Sequence, residues 1–530
     1  MRKPVRYASL SWENASASSR RIEARLGGFA SVEEREGYRG AGVPGVHVLR
    51  PGRQPAFQNA AFTERRQPMS VNASVKVETR SHLLVDHALK LGGELSRGRW
   101  RDERTRNGGV TWRPYSEEVA SFDPTDASTW QAVGSEWGGN IRLDSDIASE
   151  ALFAEDAMTI GSRLTLTTGL RFGSWSGFIR PRCDPTAGCR RFQAVRANGF
   201  DPRLGAAWDV TGRGTFAIKA HVGRYHQGMH ALFFDRVIGA NVYENQRFYN
   251  TAPPFSASDT VFTEAQRDAP GSGFNEFYDE TILDVSGRVE GYRQPYVDQG
   301  LIAIEKGFGE RWKLEALYTH RRNGDIVGLV DRNLADNYTP IRNVHPDHRF
   351  QRGLVIGPDG DRLVIPQIYA SNADILEILE RYRGNANELW GYPITELRAL
   401  TWNPDVVLTA VSGARRVYDQ ATVSLRTVQP AWRAEGSVTG ARLRGNVPGV
   451  AGFGTTATRF SAGPFVNPNE GINGEGYLPD ALQMEGKVWA VARLPRNLEG
   501  GLVYTHILGE RFTPSFEVLG RYSYTDDAGV

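Results

Sequence analysis

Cysteine is nearly absent from this 530-residue chain, which has two, and long apolar runs and any imbalance of charge are absent as well. Each scarcity excludes something. Two thiols fall two short of a four-ligand metal site. Lys and Arg number 63 against 61 Asp and Glu, so nothing argues for the clustered basic face that a nucleic-acid partner needs. No stretch approaches the ~20 consecutive apolar residues of a spanning helix, and mean hydropathy is −0.43. Only helices and closed barrels satisfy backbone polar groups in lipid, so the chain is either soluble or a barrel. Its start, Met1-Arg2-Lys3-Pro4-Val5-Arg6, is basic without an apolar core and is not a signal peptide. An exported barrel needs one, so the expectation is a fragment or a chain that begins late in its gene. The alternative is a cytoplasmic protein.

What the chain does have is glycine, 58 in all, with 12 Trp and 19 Tyr, a composition that fits short strands and tight turns. One unit repeats: strand, tight turn, strand, long polar connection. Residues 7–14 pair with 21–29, and 71–79 with 87–100. Residues 151–160 turn at Gly161-Ser162 into 164–175, and 202–210 turn at Gly212-Arg213-Gly214 into 215–225. Residues 297–308 turn at Gly309-Glu310 into 312–320, 416–428 at Gln429-Pro430 into 432–443, and 483–494 at Pro495-Arg496-Asn497 into 501–507. A last strand is expected over 516–524.

Within these segments residues alternate. Leu164, Leu166, Leu170 and Phe172 fall on one face, with Arg163, Thr165, Thr167 and Arg171 on the other. A soluble sandwich alternates in the same way. Two features favour a membrane barrel. The polar face is charged in strand after strand, through Lys90, Glu94, Arg163, Arg171, Lys219, Glu315, Arg426 and Glu435, as a wet lumen requires. The connections also alternate between tight turns and long loops at 30–69, 101–148, 176–201, 226–295, 323–415 and 445–482. Outer-membrane barrels have short periplasmic turns and longer extracellular loops, whereas soluble domains rarely carry loops beyond ~12–15 residues. Strands of ~9–12 residues, tilted, span the hydrocarbon. Trp312 and Tyr318, six residues apart, suit aromatic girdles at the two edges of an apolar band.

Several hairpins resemble the barrel of TonB-dependent receptors, and specifically the Oar-like subgroup. The resemblance rests on Leu152-Phe153-Ala154-Glu155-Asp156 with Leu164-Thr165-Leu166 and Gly169-Leu170-Arg171-Phe172, and on Phe200-Asp201-Pro202-Arg203-Leu204-Gly205 with Gly223-Arg224-Tyr225. It continues through Gln294-Pro295-Tyr296-Val297-Asp298-Gln299, Glu305-Lys306 and Tyr318-Thr319-His320-Arg321-Arg322, then Tyr418-Asp419, Ser424-Leu425-Arg426 and Gly440. The motifs are short, and their collinear order over residues 80–515 carries the specificity. The resemblance implies an all-β, antiparallel transmembrane outer-membrane β-barrel of which residues 1–530 supply a part. That part is about 15 of the 22 strands such transporters have, without a plug or carboxypeptidase-regulatory-like domain and without the last strands. It also implies uptake or export of a large substrate in the cell outer membrane, powered by the TonB–ExbB–ExbD complex acting through a plug. The alternative is a non-transporting surface barrel, an adhesin or structural protein working through its loops.

Chemical sites are few. Cys183 and Cys189 flank Asp184-Pro185-Thr186-Ala187-Gly188 in an outside loop, most simply as a disulfide. Metal binding is the alternative reading for the pair. The motif His345-Pro346-Asp347-His348 has a proline that spoils helical ligand spacing. Residues Gly357-Pro358-Asp359-Gly360-Asp361 lack the distal Glu of a calcium loop and read as a turn. The glycine-rich stretch from Gly471 to Gly476 is not followed by the Lys-Ser/Thr of a phosphate loop. No catalytic set, cofactor or metal is expected, and the chain is not expected to be an enzyme. Residues 373–382, after Ser371 and Asn372, read as a short capped helix. Aromatics in the loops, Phe233, Phe234, Tyr243, Phe248, Tyr249, Trp390 and Tyr392, either touch a substrate or pack the loops together.

Overall fold

Strands that alternate oily and hydrated residues must hide one side from water, either against a second layer or against lipid. A computed structural model of the chain settles which. It describes residues 4–508 apart from stretches in the connections, chiefly 115–132, 181–190, 235–241, 252–273, 281–288, 342–353, 382–387 and 448–464. The strands form one antiparallel meander. They are β1 Val5–Ala17, β2 Arg20–Ser31, β3 Phe62–Leu83, β4 Val85–Arg106, β5 Ile141–Ile160, β6 Leu164–Ile179 and β7 Phe192–Asp209. The meander continues with β8 Phe216–His226, β9 Tyr296–Phe308, β10 Trp312–Gly324, β11 Arg416–Val428, β12 Trp432–Gly445, β13 Met484–Leu494 and β14 Leu498–Ile507. Each is antiparallel to the one before, and three short segments complete a 17-stranded sheet. Among the described residues β1 pairs only with β2 and β14 only with β13, so the curved wall does not close on itself. All seven expected hairpins are present, and the strand expected over 516–524 lies outside the described residues.

Among the described residues no second layer covers the apolar side. Leu152 is 69 % exposed, Val222 56 % and Leu502 61 %, and the register puts Leu152, Phe172 and Phe200 side by side on three neighbouring strands. Trp208, Phe308, Trp312 and Trp432 stand on the same face, exposed, beside the tight turns, with Tyr318 toward the other edge. That is the two-row aromatic pattern of a lipid-facing wall. An ionic pair also sits within this band, His87 and Asp156, whose Nδ1 and Oδ2 lie 2.7 Å apart.

The loops depart from expectation in a consistent direction. The strands run on into them: β3 and β4 are 22 residues each and β5 is 20, and β6 with 16 residues and β7 with 18 shrink the loop between them to residues 180–191. The connections also carry structure of their own. Gly45–Val48, Ala56–Phe57, Val110–Pro114, Val133–Gly138, Gln246–Thr251 and Phe274–Glu280, from three different loops, form a six-stranded sheet. Val327–Asp331 pairs with Val406–Ala410 at the base of the longest loop. The expected helix is α1, Asn372–Arg381, where Ser371 Oγ accepts the backbone N–H of Asp374 at 3.1 Å.

Candidate functional site

The alternation that makes the outer face oily fixes the inner face too. Lys90, Glu94, Glu155 and Arg171 lie opposite in sense to Leu91, Leu95, Leu152 and Phe172, and the register joins charges of opposite sign across strands. Lys90 Nζ is 3.0 Å from Glu155 Oε1, and Arg171 Nη2 is 2.7 Å from Glu94 Oε2. Lys219 of β8 and Lys313 of β10 both reach Glu305 of β9, at 2.5 and 3.0 Å, and Lys313 also lies 3.7 Å from Glu315. Lys76 of β3 lies 3.0 Å from Glu23 and 3.0 Å from Glu78. Arg426 and Glu435 stand directly opposite on β11 and β12. Such cross-strand pairs contribute about 0.2–1 kcal/mol each. Their larger effect is to line the lumen with charge already neutralised locally. A cavity of about 630 Å³ opens beside β1–β6, lined by Ser9, Ser11, Asn72, Ser74, Ser96 and Ser149, with Glu94 and Arg171 among its charged groups.

Toward the loop end the same face turns apolar and buried. Trp175, Ile179 and Val195 point inward from β6 and β7 and meet Met229, Phe234, Val327, Leu329, Val406, Leu408 and Val466 from the loops. The loops therefore fold into the mouth of the wall, and glycines make room for them. A Cβ on Gly177 would sit 2.4 Å from the Phe234 ring, and one on Gly199 would sit 2.6 Å from the His226 ring. His226 Nδ1 lies 2.5 Å from the buried Asp201, which also accepts the His226 backbone N–H at 3.1 Å. The His226 ring centroid lies 5.4 Å from those of Trp175 and Tyr296. Outside the strands, burial pushes the Tyr292 hydroxyl pKa up, and that hydroxyl donates to Gln294, whose amide donates to the Gln227 carbonyl at 2.9 Å.

The loop aromatics divide accordingly. Phe234 is fully buried against Gly177 and Tyr392 is buried with Ile375, Leu379, Ile394 and Leu397, so both pack loops and neither faces a ligand. Phe233 and Trp390 lie outside the described residues, as do Cys183, Cys189, His345, His348 and residues 357–361, and the side chains of Tyr243, Phe248 and Tyr249 are not described. Among the described residues no group of three or more His, Cys, Asp or Glu converges as a metal site would need. Sequence reading missed the Asp201–His226 pair and the inward glycines. The available signal was glycine inside strand patterns, at 173, 177 and 199, which marks close approach by another part of the chain.

Comparison with known proteins bears on the fold. Among curated proteins no sequence matches the chain. The solved outer membrane transporter YddB of Escherichia coli aligns over 92 % of this chain and 48 % of its own, with 10 % identity and a TM-score of 0.46. The ferric-catecholate import receptor Fiu of Escherichia coli aligns over 95 % and 53 %, with 10 % identity and a TM-score of 0.46. The ferric preacinetobactin receptor BauA of Acinetobacter baumannii aligns over 95 % and 51 %, with 9 % identity and a TM-score of 0.45. The chain thus spans about half the length of these structures. The profile of the outer membrane beta barrel domain matches residues 8–366, more than half of the chain, and with a wall that is oily outside and ion-paired inside this chain belongs to the outer membrane beta barrel domain family and resides in the outer membrane.

Proposed function

We propose that this wall belongs to a TonB-dependent receptor that carries a large solute across the outer membrane, with energy delivered by TonB, ExbB and ExbD through a plug held in the lumen. One observation carries the reading: the inner face bears neutralised charge pairs, and one of them, Glu94 with Arg171, stands on open space of about 630 Å³ that side chains of the wall do not fill. Small barrels pack their interiors, whereas wide ones hold water or a plug. A plug docks well on such a face, because rows of satisfied ion pairs offer hydrogen bonds without leaving a bare charge buried when contact is made. The buried loop cluster at the mouth supplies a rigid seat for solute recognition, which on such scaffolds falls to loops.

The test is site-specific photo-cross-linking between the product of the complete locus and TonB in a Gram-negative host, run beside a heat-modifiability gel. A compact unheated band that shifts on boiling, with a TonB adduct, is expected. A band that shifts without any adduct would remove the transporter half and leave a surface barrel. A soluble protein with no shift would remove both.

A further inference from the structure

The outer face changes character along one line. On β4, β5, β6 and β7 the outward apolar rows reach Leu95, Leu152, Phe172 and Phe200, the last three adjacent in register and Leu95 opposite Glu150. From Leu152 to Ile160 at the turn the strand covers about 26 Å at ~3.3 Å per residue, or about 19 Å of height at a ~45° tilt. That matches an apolar band ~25 Å tall. The next outward positions toward the loops are Arg97, Arg99 and Arg101 on β4, and Glu150, Ala148, Asp146 and Asp144 on β5. These side chains stand at and above the edge of the hydrocarbon, at the level of lipid headgroups.

Among the described residues cations exceed carboxylates there, and the geometry holds the excess in place. Arg99 donates to both oxygens of Asp144, at 2.9 and 2.7 Å, and Arg101 donates to the same carboxylate at 3.0 Å. Asp146 is shared by Arg180 at 2.7 Å and Arg191 at 2.8 Å, and Arg191 also lies on the Phe178 ring, 3.5 Å from its centroid. Arg196, exposed and outward on β7, has no ion pair among the described residues. Two guanidinium groups on one carboxylate leave one positive charge over in each cluster, held rigidly and facing the surroundings. These cations are all arginine, the side chain whose planar fork matches phosphate oxygens in pairs.

We propose that this arginine ridge binds the phosphate groups of lipid headgroups in the leaflet on the loop side, so that the barrel carries bound phosphorylated lipid along its β4–β7 sector. The inference needs the outer-membrane wall but not the transport reading, and the two fail separately. The test uses the full-length protein purified from outer membranes in neutral detergent. It is titrated with diphosphorylated lipid A, with the same lipid stripped of phosphate, and with inorganic phosphate, and bound lipid is counted by native mass spectrometry. The triple variant R101S/R191S/R196S keeps the Arg99–Asp144 and Arg180–Asp146 pairs of the wall. A basic residue at an anionic lipid surface is worth about fivefold in binding, so the triple variant is expected to bind the phosphorylated lipid roughly a hundredfold more weakly. Arg196→Ser alone, which breaks no ion pair among the described residues, is expected to weaken it about fivefold, and the stripped lipid is expected to bind poorly to every form. Equal affinity of the wild type and Arg196→Ser for the phosphorylated lipid would overturn the proposal and point to a protein contact at the ridge. Equal binding of stripped and phosphorylated lipid would overturn it too, as would displacement by inorganic phosphate at millimolar concentration, which would mean a site for the free ion.

Discussion

Replacing Leu170 with arginine tests the wall most directly. Leu170 sits on β6 between Ala154 and Pro202 of the neighbouring strands, and half of its surface, 51 %, is uncovered by the chain. If water surrounded it, a charged substitution at so open a position would change stability by no more than about 0.5 kcal/mol. If lipid surrounds it, the cost is set by depth. Leu170 lies six residues from Leu164 at the turn, about 20 Å along the strand and about 14 Å in height at a ~45° tilt, a little past the middle of the apolar band. Arginine near the bilayer midplane costs about 2–4 kcal/mol, so the folding constant should fall by roughly 30- to 900-fold. The neighbouring inward position supplies the control, since Thr167→Arg places the same charge in the hydrated lumen and should cost under about 1 kcal/mol. The assay is reversible guanidinium unfolding in phospholipid vesicles followed by tryptophan fluorescence. A Leu170→Arg protein within about 0.5 kcal/mol of wild type, or one no less stable than Thr167→Arg, would refute the assignment of faces on which everything else here is built.

Phe234→Ala removes a fully buried ring from the mouth cluster, at a cost of about 3–5 kcal/mol to the loop packing. It should raise hydrogen exchange and protease cutting in residues 227–295 while leaving heat modifiability intact. Glu305→Gln strips the shared partner from Lys219 and Lys313. Because those lysines are half exposed the loss should stay under about 1 kcal/mol and shrink further at high salt, as denaturation at two ionic strengths will measure. Cys183 and Cys189 should resist alkylation in the protein isolated from the outer membrane and take up two labels after reduction, and labelling without a reductant would exclude the disulfide.

The hairpins were legible because each strand half that crosses lipid obeys a strict alternation bounded by turn residues. Leu164 to Phe172 after Gly161-Ser162 and Trp312 to Tyr318 after Gly309-Glu310 could hardly be placed otherwise. The upper halves of β3, β4 and β5 were not legible. Once the wall leaves the bilayer its outer positions need not be apolar, and Arg101-Asp102-Glu103-Arg104-Thr105-Arg106 reads as a solvated loop although it continues β4, with Arg101 outside and Asp102 inside. Phe234 and Tyr392 looked equally suited to touching a solute or to packing. Only the facing glycine for one and the helix for the other decide it, and both depend on contacts between segments distant in sequence. The sheet assembled from three connections is invisible for the same reason, since strands of a few residues such as Ala56–Phe57 carry no periodicity of their own.

The strands differ greatly in length. At ~3.3 Å per residue β3 and β4 extend about 73 Å and β14 about 33 Å, so with all the tight turns at one end the difference appears wholly at the other. The rim is oblique, a raised collar on one flank descending to a low sill on the other. Among the described residues, then, this open wall presents a tall flank and a low one to whatever approaches from the medium.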